Sequence, residues 1–354
     1  MTEPVSTEPV STEQPATDGS IVFEVVPLAF PWQTIDPFLF CVHHDDAFPE
    51  GRGDLAPVGS LEGRAIGNDF VGIDGWRMYH GSVVPGFPQH PHRGFETVTF
   101  VRRGLVDHAD SAGATARYGE GDVQWLTAGS GVLHSEMFPL VHEDRPNPTE
   151  LFQIWLNLPS TNKFAEPAFT ILWDGDIPRR TVVDDHGLTT TVTVVAGSFD
   201  GATPPSPPPA SWGSDPRSDL AIWHLELDAG AEVTLPAAAG PDTVRAMYVY
   251  RGAGVEIGGR PVDGSVVVAV DAQRPAGLRA GSERVEVLVL QGRPIGEPVA
   301  QYGPFVMNTE AEIREAFADY RATAFGGWPW RADDPTHGHE TRFARHPDGR
   351  EERP

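Results

Sequence analysis

An all-β architecture is predicted: two strand-rich domains of jelly-roll type followed by one short C-terminal helix. Three observations carry this. Glycine (38) and proline (34) are abundant in a chain of 354 residues. Apolar residues come in short runs, rich in β-branched types and bounded by Gly, Pro or Asp. A proline-rich stretch separates two sets of such runs of similar size. Periodicity alone leaves other all-β architectures open.

Residues 1–20 carry the unit TEPVS twice in tandem and have little to bury, so they are expected to be a disordered tail. Strand-like sequence begins with IVFEVVPLAF, cut by Pro27. A Gly- and Asp-rich insertion covers 45–82, and FETVTFVRRG, GDVQWLTAG, ELFQIWLNLP and AFTILWDGD complete a first domain over 21–200. The linker, 201–217, contains six prolines and cannot join a central strand. The runs AIWHLEL, RAMYVYRG, GSVVVAVDA and RVEVLVLQG place a second domain over 218–325. Near its end Ile313, Phe317 and Tyr320 recur at helical spacing, with Asn308 or Thr309 as cap. Residues 326–354 read as a polar, mobile tail.

With 40% hydrophobic and 21% charged residues the chain can bury a sizeable core. A formal charge of -24 repels phosphate backbones and argues against direct nucleic-acid binding. Cys41 is the single cysteine, which excludes an intrachain disulfide or thiolate cluster; it is expected to be a small buried apolar residue. Lys163 is the single lysine. No run approaches 18 apolar residues and the N-terminus lacks a secretory pattern, so no membrane span and a cytoplasmic location are expected.

The chemistry-bearing residues lie in two blocks. In GFPQHPHRGFE, His90 and His92 are two apart, and Pro91 favours extended backbone, so both imidazoles share one face. In GSGVLHSE, His134 and Glu136 repeat that spacing. Two such pairs on neighbouring strands would converge three nitrogens and a carboxylate, a set suited to Fe, Mn, Ni, Cu or Zn with coordination positions left open. A purely structural zinc site would be richer in thiolates. Glu96, four residues after His92, also falls on the ligand side of a regular strand. Geometry therefore leaves either carboxylate available.

Other residues are weighed against plainer readings. His43-His44-Asp45-Asp46 is expected to be a solvated loop, since adjacent residues of a strand diverge. His337 and His339 fall in the polar tail, where no site is expected. His224 is read as a lone histidine, so the second domain is expected to keep the barrel without a metal. Gln124, Trp125, Phe95 and Met137 flank the ligands; most should be core, while Phe95, Trp125 and Met137 are candidate pocket walls. Gln153 alternates with Phe152 and Ile154 and is a candidate for the cavity.

The blocks HPHRGFETVTF (90–100), GDVQWLTAGSGVLHSEM (121–137), LFQIWLNLP (151–159) and YGPFVMNT (302–309) resemble the signature blocks of pirins, a family of the cupin superfamily with two cupin barrels. The likeness runs from about residue 22 to residue 325. It implies one non-haem iron per chain, bound by His90, His92, His134 and Glu136, with Glu96, the general cupin ligand position, as an orienting group or alternative ligand. It further implies quercetin 2,3-dioxygenase-type cleavage of a flavonol by O2, with Glu136 or Glu96 accepting the substrate's hydroxyl proton. The alternative from the same family is a non-enzymatic, redox-sensitive regulator of a protein partner, with Arg102, Arg103 and the 45–82 insertion as contacts. The N-terminal tail, the insertion, the linker and the tail after residue 330 depart from the compact family pattern.

Overall fold

The computed structural model describes residues 10–11 and 19–354. Most of the expected N-terminal tail lies outside these residues, although Val10 is buried against the core and the Ser11 amide donates to Glu24. The described chain is built of antiparallel strands and one α-helix, α1 (Glu310–Thr323). Thr309 caps α1 with a reciprocal Glu312 contact, and Ile313, Phe317 and Tyr320 pack its apolar face beside Phe305.

Two sheets face each other in the first barrel. One has the order Ala168–Leu172, Val123–Thr127, Phe95–Arg103, Thr149–Asn157, Phe38–Asp46. The other runs Glu351–Glu352, Phe343–Arg345, Thr115–Gly119, Leu105–Asp110, Val132–Met137, Gly86–His92. The second barrel has a seven-stranded sheet, with Val22–Pro27 at one edge and Arg179–Val183 at the other, and a four-stranded sheet covering its interior.

The five- and seven-stranded sheets pack back to back, and this explains their composition. In Val285–Gly292, Val287 and Val289 face the second barrel's interior, while Leu288 and Leu290 join an interdomain core with Val98, Phe100, Trp125, Phe152 and Ile154. Such strands are apolar on both faces and read as continuous hydrophobic runs rather than alternating ones.

Sheet membership crosses the expected domain boundaries. Val22–Pro27 pairs with Val266–Val270, and Arg179–Val183 and Thr189–Ala196 extend the second barrel's sheet, although all three precede the linker. Conversely, Phe343–Arg345 pairs with Thr115–Gly119 of the first barrel. A strand's own residues fix its period but not its partner, so these exchanges leave no local mark.

The 326–354 segment is therefore not a mobile tail. Phe343 and Ala344 are fully buried, and the Arg117 guanidinium donates to the Gly338 and Glu340 carbonyls. The Trp330 indole donates to Asp110 O, and Asp333 holds Gln89 through two hydrogen bonds. The segment covers an otherwise open sheet edge. Phe343→Ala is expected to destabilise the protein by about 3–5 kcal/mol, the usual cost of a buried Phe truncation. Urea unfolding measures this, and an unchanged midpoint would contradict the packing.

Candidate metal centre

The strands Gly86–His92 and Val132–Met137 are antiparallel neighbours, with His90 directly opposite His134 and His92 opposite Val132. The ring centroids of His90 and His134 lie 4.4 Å apart, those of His90 and His92 4.8 Å, and those of His92 and His134 4.9 Å. One ligand atom from each of the three lies within 4.8 Å of the others. Glu136 flanks this cluster, its Oε2 3.8 Å from His134 Nε2.

Backbone contacts hold the two blocks in place. Gly94 adopts φ 84°, and a Cβ there would meet Val306 O at 2.0 Å, so the turn after His92 requires glycine. Lys163 Nζ, buried, donates to Gly94 O (2.9 Å), Asn157 Oδ1 (2.8 Å) and Val306 O (3.2 Å). Arg93 Nε donates to Ser130 O at 2.6 Å and so ties the first block to the second.

The donor set fits a metal ion. His134 is fully buried and neither ring nitrogen has a hydrogen-bond partner; His92 Nδ1 is likewise buried and unpartnered. Each such orphan costs roughly 1–3 kcal/mol if left unsatisfied. His90 Nδ1 donates to Pro88 O at 2.9 Å, which leaves its Nε2 as an electron-pair donor. Burial lowers the His90 pKa to about 4 and those of His92 and His134 well below the ordinary value, so all three are neutral at neutral pH. Burial raises the Glu136 pKa, opposed by His108, Thr99 and Gln153.

Gln153 does reach the cavity: its Nε2 is 3.4 Å from Glu136 Oε2, and its Oε1 is 2.6 Å from Thr99 Oγ1. Phe95 packs its ring 5.0 Å from His92 and 4.4 Å from Trp155. Trp125 and Met137 are not pocket walls. Trp125 alternates with Gln124 and points into the interdomain core, while Met137, one residue past Glu136, packs with Leu55 and Val84.

Glu96 also lies on the wrong side for an orienting role at the metal. Its carboxylate accepts from Trp125 Nε1 (3.1 Å), Thr127 Oγ1 (2.7 Å), Ser211 Oγ (2.9 Å) and Trp212 N (3.1 Å), tying the linker to the first barrel. The positive-φ turn at Gly94 breaks the strand between His92 and Glu96, so even spacing no longer means a shared face. Burial raises its pKa to about 7, against those four donors.

Sequence reasoning missed His108. It stands opposite Glu136, and Asp110 opposite His134, so both point into the barrel. His108 Nε2 lies 3.2 Å from Asp110 Oδ2, its ring centroid is 5.6 Å from that of His134, and its Nδ1 is buried without a partner. The alternating pair in LVDHAD was the available signal. The insertion adds Phe70 and His80 to an aromatic wall around Phe87 of the Gly86–His92 strand: Phe87 is 6.4 Å from His90, 5.7 Å from His80 and 6.4 Å from Phe70 between ring centroids.

The expected loop at 43–46 is strand. His44 and Asp46 are buried on its inner face, joined through Tyr79: His44 Nδ1 is 2.8 Å from Tyr79 Oη, which donates to Asp46 Oδ2 at 2.5 Å. Nor is His224 alone. Glu226 follows at ligand spacing, and Glu286 completes a cluster with them. Arg102 occupies that cluster, donating to Glu226, Glu286 and Glu150, and Arg251 adds pairs to Glu286 and Glu150. These cations already neutralise the carboxylates, so the group is an ion-pair network at the domain interface. Arg102 is spent within it, and Arg103 pairs with Glu150 and Asp45. The 45–82 insertion packs Phe48, Trp76, Met78 and Tyr79 into the first barrel's core.

No helix among the described residues is long and apolar enough to cross a membrane. Residues 28–156 match the family model for Pirin, and 222–326 that for the Pirin C-terminal cupin domain. A Pseudomonas aeruginosa protein named "Putative quercetin 2,3-dioxygenase" is 38% identical over 240 residues, covering 68% of this chain and 79% of that protein. Pirin-1 of Arabidopsis thaliana is 37% identical over 248 residues, covering 68% and 78%. The crystal structure of quercetin 2,3-dioxygenase from Acinetobacter baumannii superposes with a TM-score of 0.64 at 29% identity, covering 82% of this chain and 87% of that one. The chain belongs to the pirin family of the cupin superfamily and has its two cupin domains.

Proposed function

We propose that this pirin is a non-haem iron protein with quercetin 2,3-dioxygenase-type activity, cleaving a flavonol or similar small aromatic substrate with O2. The observation that carries the reading is the buried cluster of three neutral imidazoles with unpartnered nitrogens, flanked by a carboxylate. The names of the relatives point to the same chemistry.

His90, His92, His134 and Glu136 would hold the ion, with other divalent transition metals compatible with the same set. Bound there, it would supply Lewis acidity toward the substrate's oxygens and a centre for dioxygen chemistry. Glu136 accepts the proton of the flavonol hydroxyl; burial, which raises its proton affinity, suits it to that task. Gln153 and Thr99, both beside its carboxylate, orient it. Phe87 and Phe70 offer flat apolar surface to the substrate's rings beside His90.

Iron-loaded protein supplied with quercetin in air should consume O2 and release carbon monoxide in equal amounts. Loaded protein that consumes no O2 would sink the enzymatic reading and favour the partner-binding alternative.

A further inference from the structure

A histidine on the wall of the metal-binding barrel presents one nitrogen for which the chain supplies no partner. His44 lies on Phe38–Asp46 and shares its inward face with Val42 and Asp46; Val42 is in register opposite Gln153, and His44 opposite Leu151. His44 is therefore a diagonal neighbour of Gln153 across the two strands, and Gln153 reaches Glu136. The His44 ring is also 6.2 Å from that of Phe87, which in turn is 6.4 Å from His90. The imidazole thus borders the aromatic surface that leads away from the metal centre.

Its tautomer is set by a chain of hydrogen bonds. Arg77 Nη1 donates to Asp46 Oδ1 at 3.0 Å. Burial raises the Asp46 pKa to about 6, which still leaves a carboxylate at neutral pH. The Tyr79 hydroxyl donates its hydrogen to Asp46 Oδ2 at 2.5 Å. Toward His44 the Tyr79 oxygen can then only accept, so His44 Nδ1, 2.8 Å away, is the donor. The proton on Nδ1 leaves Nε2 with its lone pair. Burial lowers the His44 pKa to about 3, so no second proton arrives at neutral pH.

His44 Nε2 has no protein partner. The residue is 7% exposed, and this nitrogen keeps accessible surface, unlike the sealed ring nitrogens of His134. Leu151, Tyr79 and Phe87 border it, and an apolar side chain would pack among them without the cost of desolvating an imidazole. A lone pair accepts and does not donate, so the missing partner is a donor; the rings around it favour a donor carried on a flat apolar body. We propose that His44 is a specificity residue of the metal centre, its Nε2 accepting a hydrogen bond from a ring hydroxyl of the aromatic substrate at a distance from the metal, with Tyr79 and Asp46 as positioning residues that fix the accepting tautomer. This rests on the flavonol reading above and adds that the site selects hydroxylated rings.

Anaerobic calorimetry on the full-length, metal-containing protein compares quercetin with 3-hydroxyflavone, which keeps the metal-directed hydroxyl and lacks the ring hydroxyls. Quercetin should bind roughly ten-fold tighter, the worth of one well-placed hydrogen bond. His44→Phe should bring that ratio below about three-fold, with metal content unchanged. Nitrogen-15 spectra of protein loaded with diamagnetic zinc give a readout that packing alone would not move, and they carry the test if the variant does not fold. The His44 Nε2 signal should lie in the unprotonated range, shift when quercetin binds and stay in place with 3-hydroxyflavone. Equal binding of the two flavonols with O2 uptake intact would overturn this inference and leave the dioxygenase reading standing, whereas no binding of either would overturn both. An undiminished ratio in His44→Phe, or a protonated Nε2, would also overturn it.

Discussion

Replacing His134 by alanine is expected to empty the metal centre. Purified wild-type protein should carry close to one transition-metal equivalent per chain, and the variant under a tenth of that, with affinity lower by at least two orders of magnitude. His134 faces both other imidazoles, and both its nitrogens lack protein partners, so its loss removes the central member of the cluster. Removing one outer-shell partner of a metal ligand already costs about 10–100-fold in affinity, and removing a ligand costs more. Stability gives an independent readout. Metal at about 1,000 times its Kd stabilises a folded protein by about 4 kcal/mol, so wild type should melt well below its usual temperature once chelated. The variant should show almost no chelator response. Metal analysis and melting curves with and without chelator decide it; a variant that stays loaded would refute the site. A second tightly held equivalent in wild type would instead mean that His224, Glu226 and Glu286 bind an ion despite Arg102.

The same imidazoles set a pH dependence for the metal-free protein. Their folded pKa values are depressed, that of His90 to about 4, while unfolded histidine titrates near 6.5. Between these values the unfolded chain binds more protons, so this contribution is present above pH 6.5 and lost as pH falls toward 4.

The parts of this molecule legible in its sequence are those where local pattern and local structure coincide. Short β-branched runs became strands, the Ile313, Phe317 and Tyr320 stripe became α1, and HPH and HSE each placed two side chains on one face. What was not legible depends on partners far along the chain. Nothing local shows that Val22–Pro27 pairs with residues 266–270, or that Phe343 closes the edge beside Ala116 and Arg117. Face assignments failed where counting by two crossed an irregularity. Trp125 and Met137 were one residue from inward-facing neighbours, and Glu96 lay beyond the Gly94 turn. Arg102 looked like an exposed contact because Glu226 and Glu286, its partners, belong to the other barrel.

The two carboxylates near the motif should now separate sharply. Glu136→Gln is expected to lower metal affinity at least ten-fold and to abolish flavonol turnover, since on the proposed reading it removes both the anionic ligand and the proton acceptor. Glu96→Gln should keep the full metal content, because that side chain faces Ser211 and Trp212 across the sheet from the imidazoles. Its effect belongs to stability. Glu96 has its folded pKa raised to about 7 from an ordinary 4.5. The folded state therefore binds the proton more tightly, and the group's stabilisation is full below pH 4.5 and lost as pH rises through 7. Relative to wild type, Glu96→Gln should gain stability across that interval by roughly 3 kcal/mol, since each tenfold difference in proton affinity between the folded and unfolded chain is worth about 1.4 kcal/mol. Urea midpoints from pH 4.5 to 8, with metal content and oxygen uptake on the same preparations, test both halves. A loaded Glu136→Gln beside an empty Glu96→Gln would restore the general cupin ligand position. Parallel pH profiles for wild type and Glu96→Gln would show instead that the four donors outweigh burial and keep Glu96 ionised at every pH the fold survives.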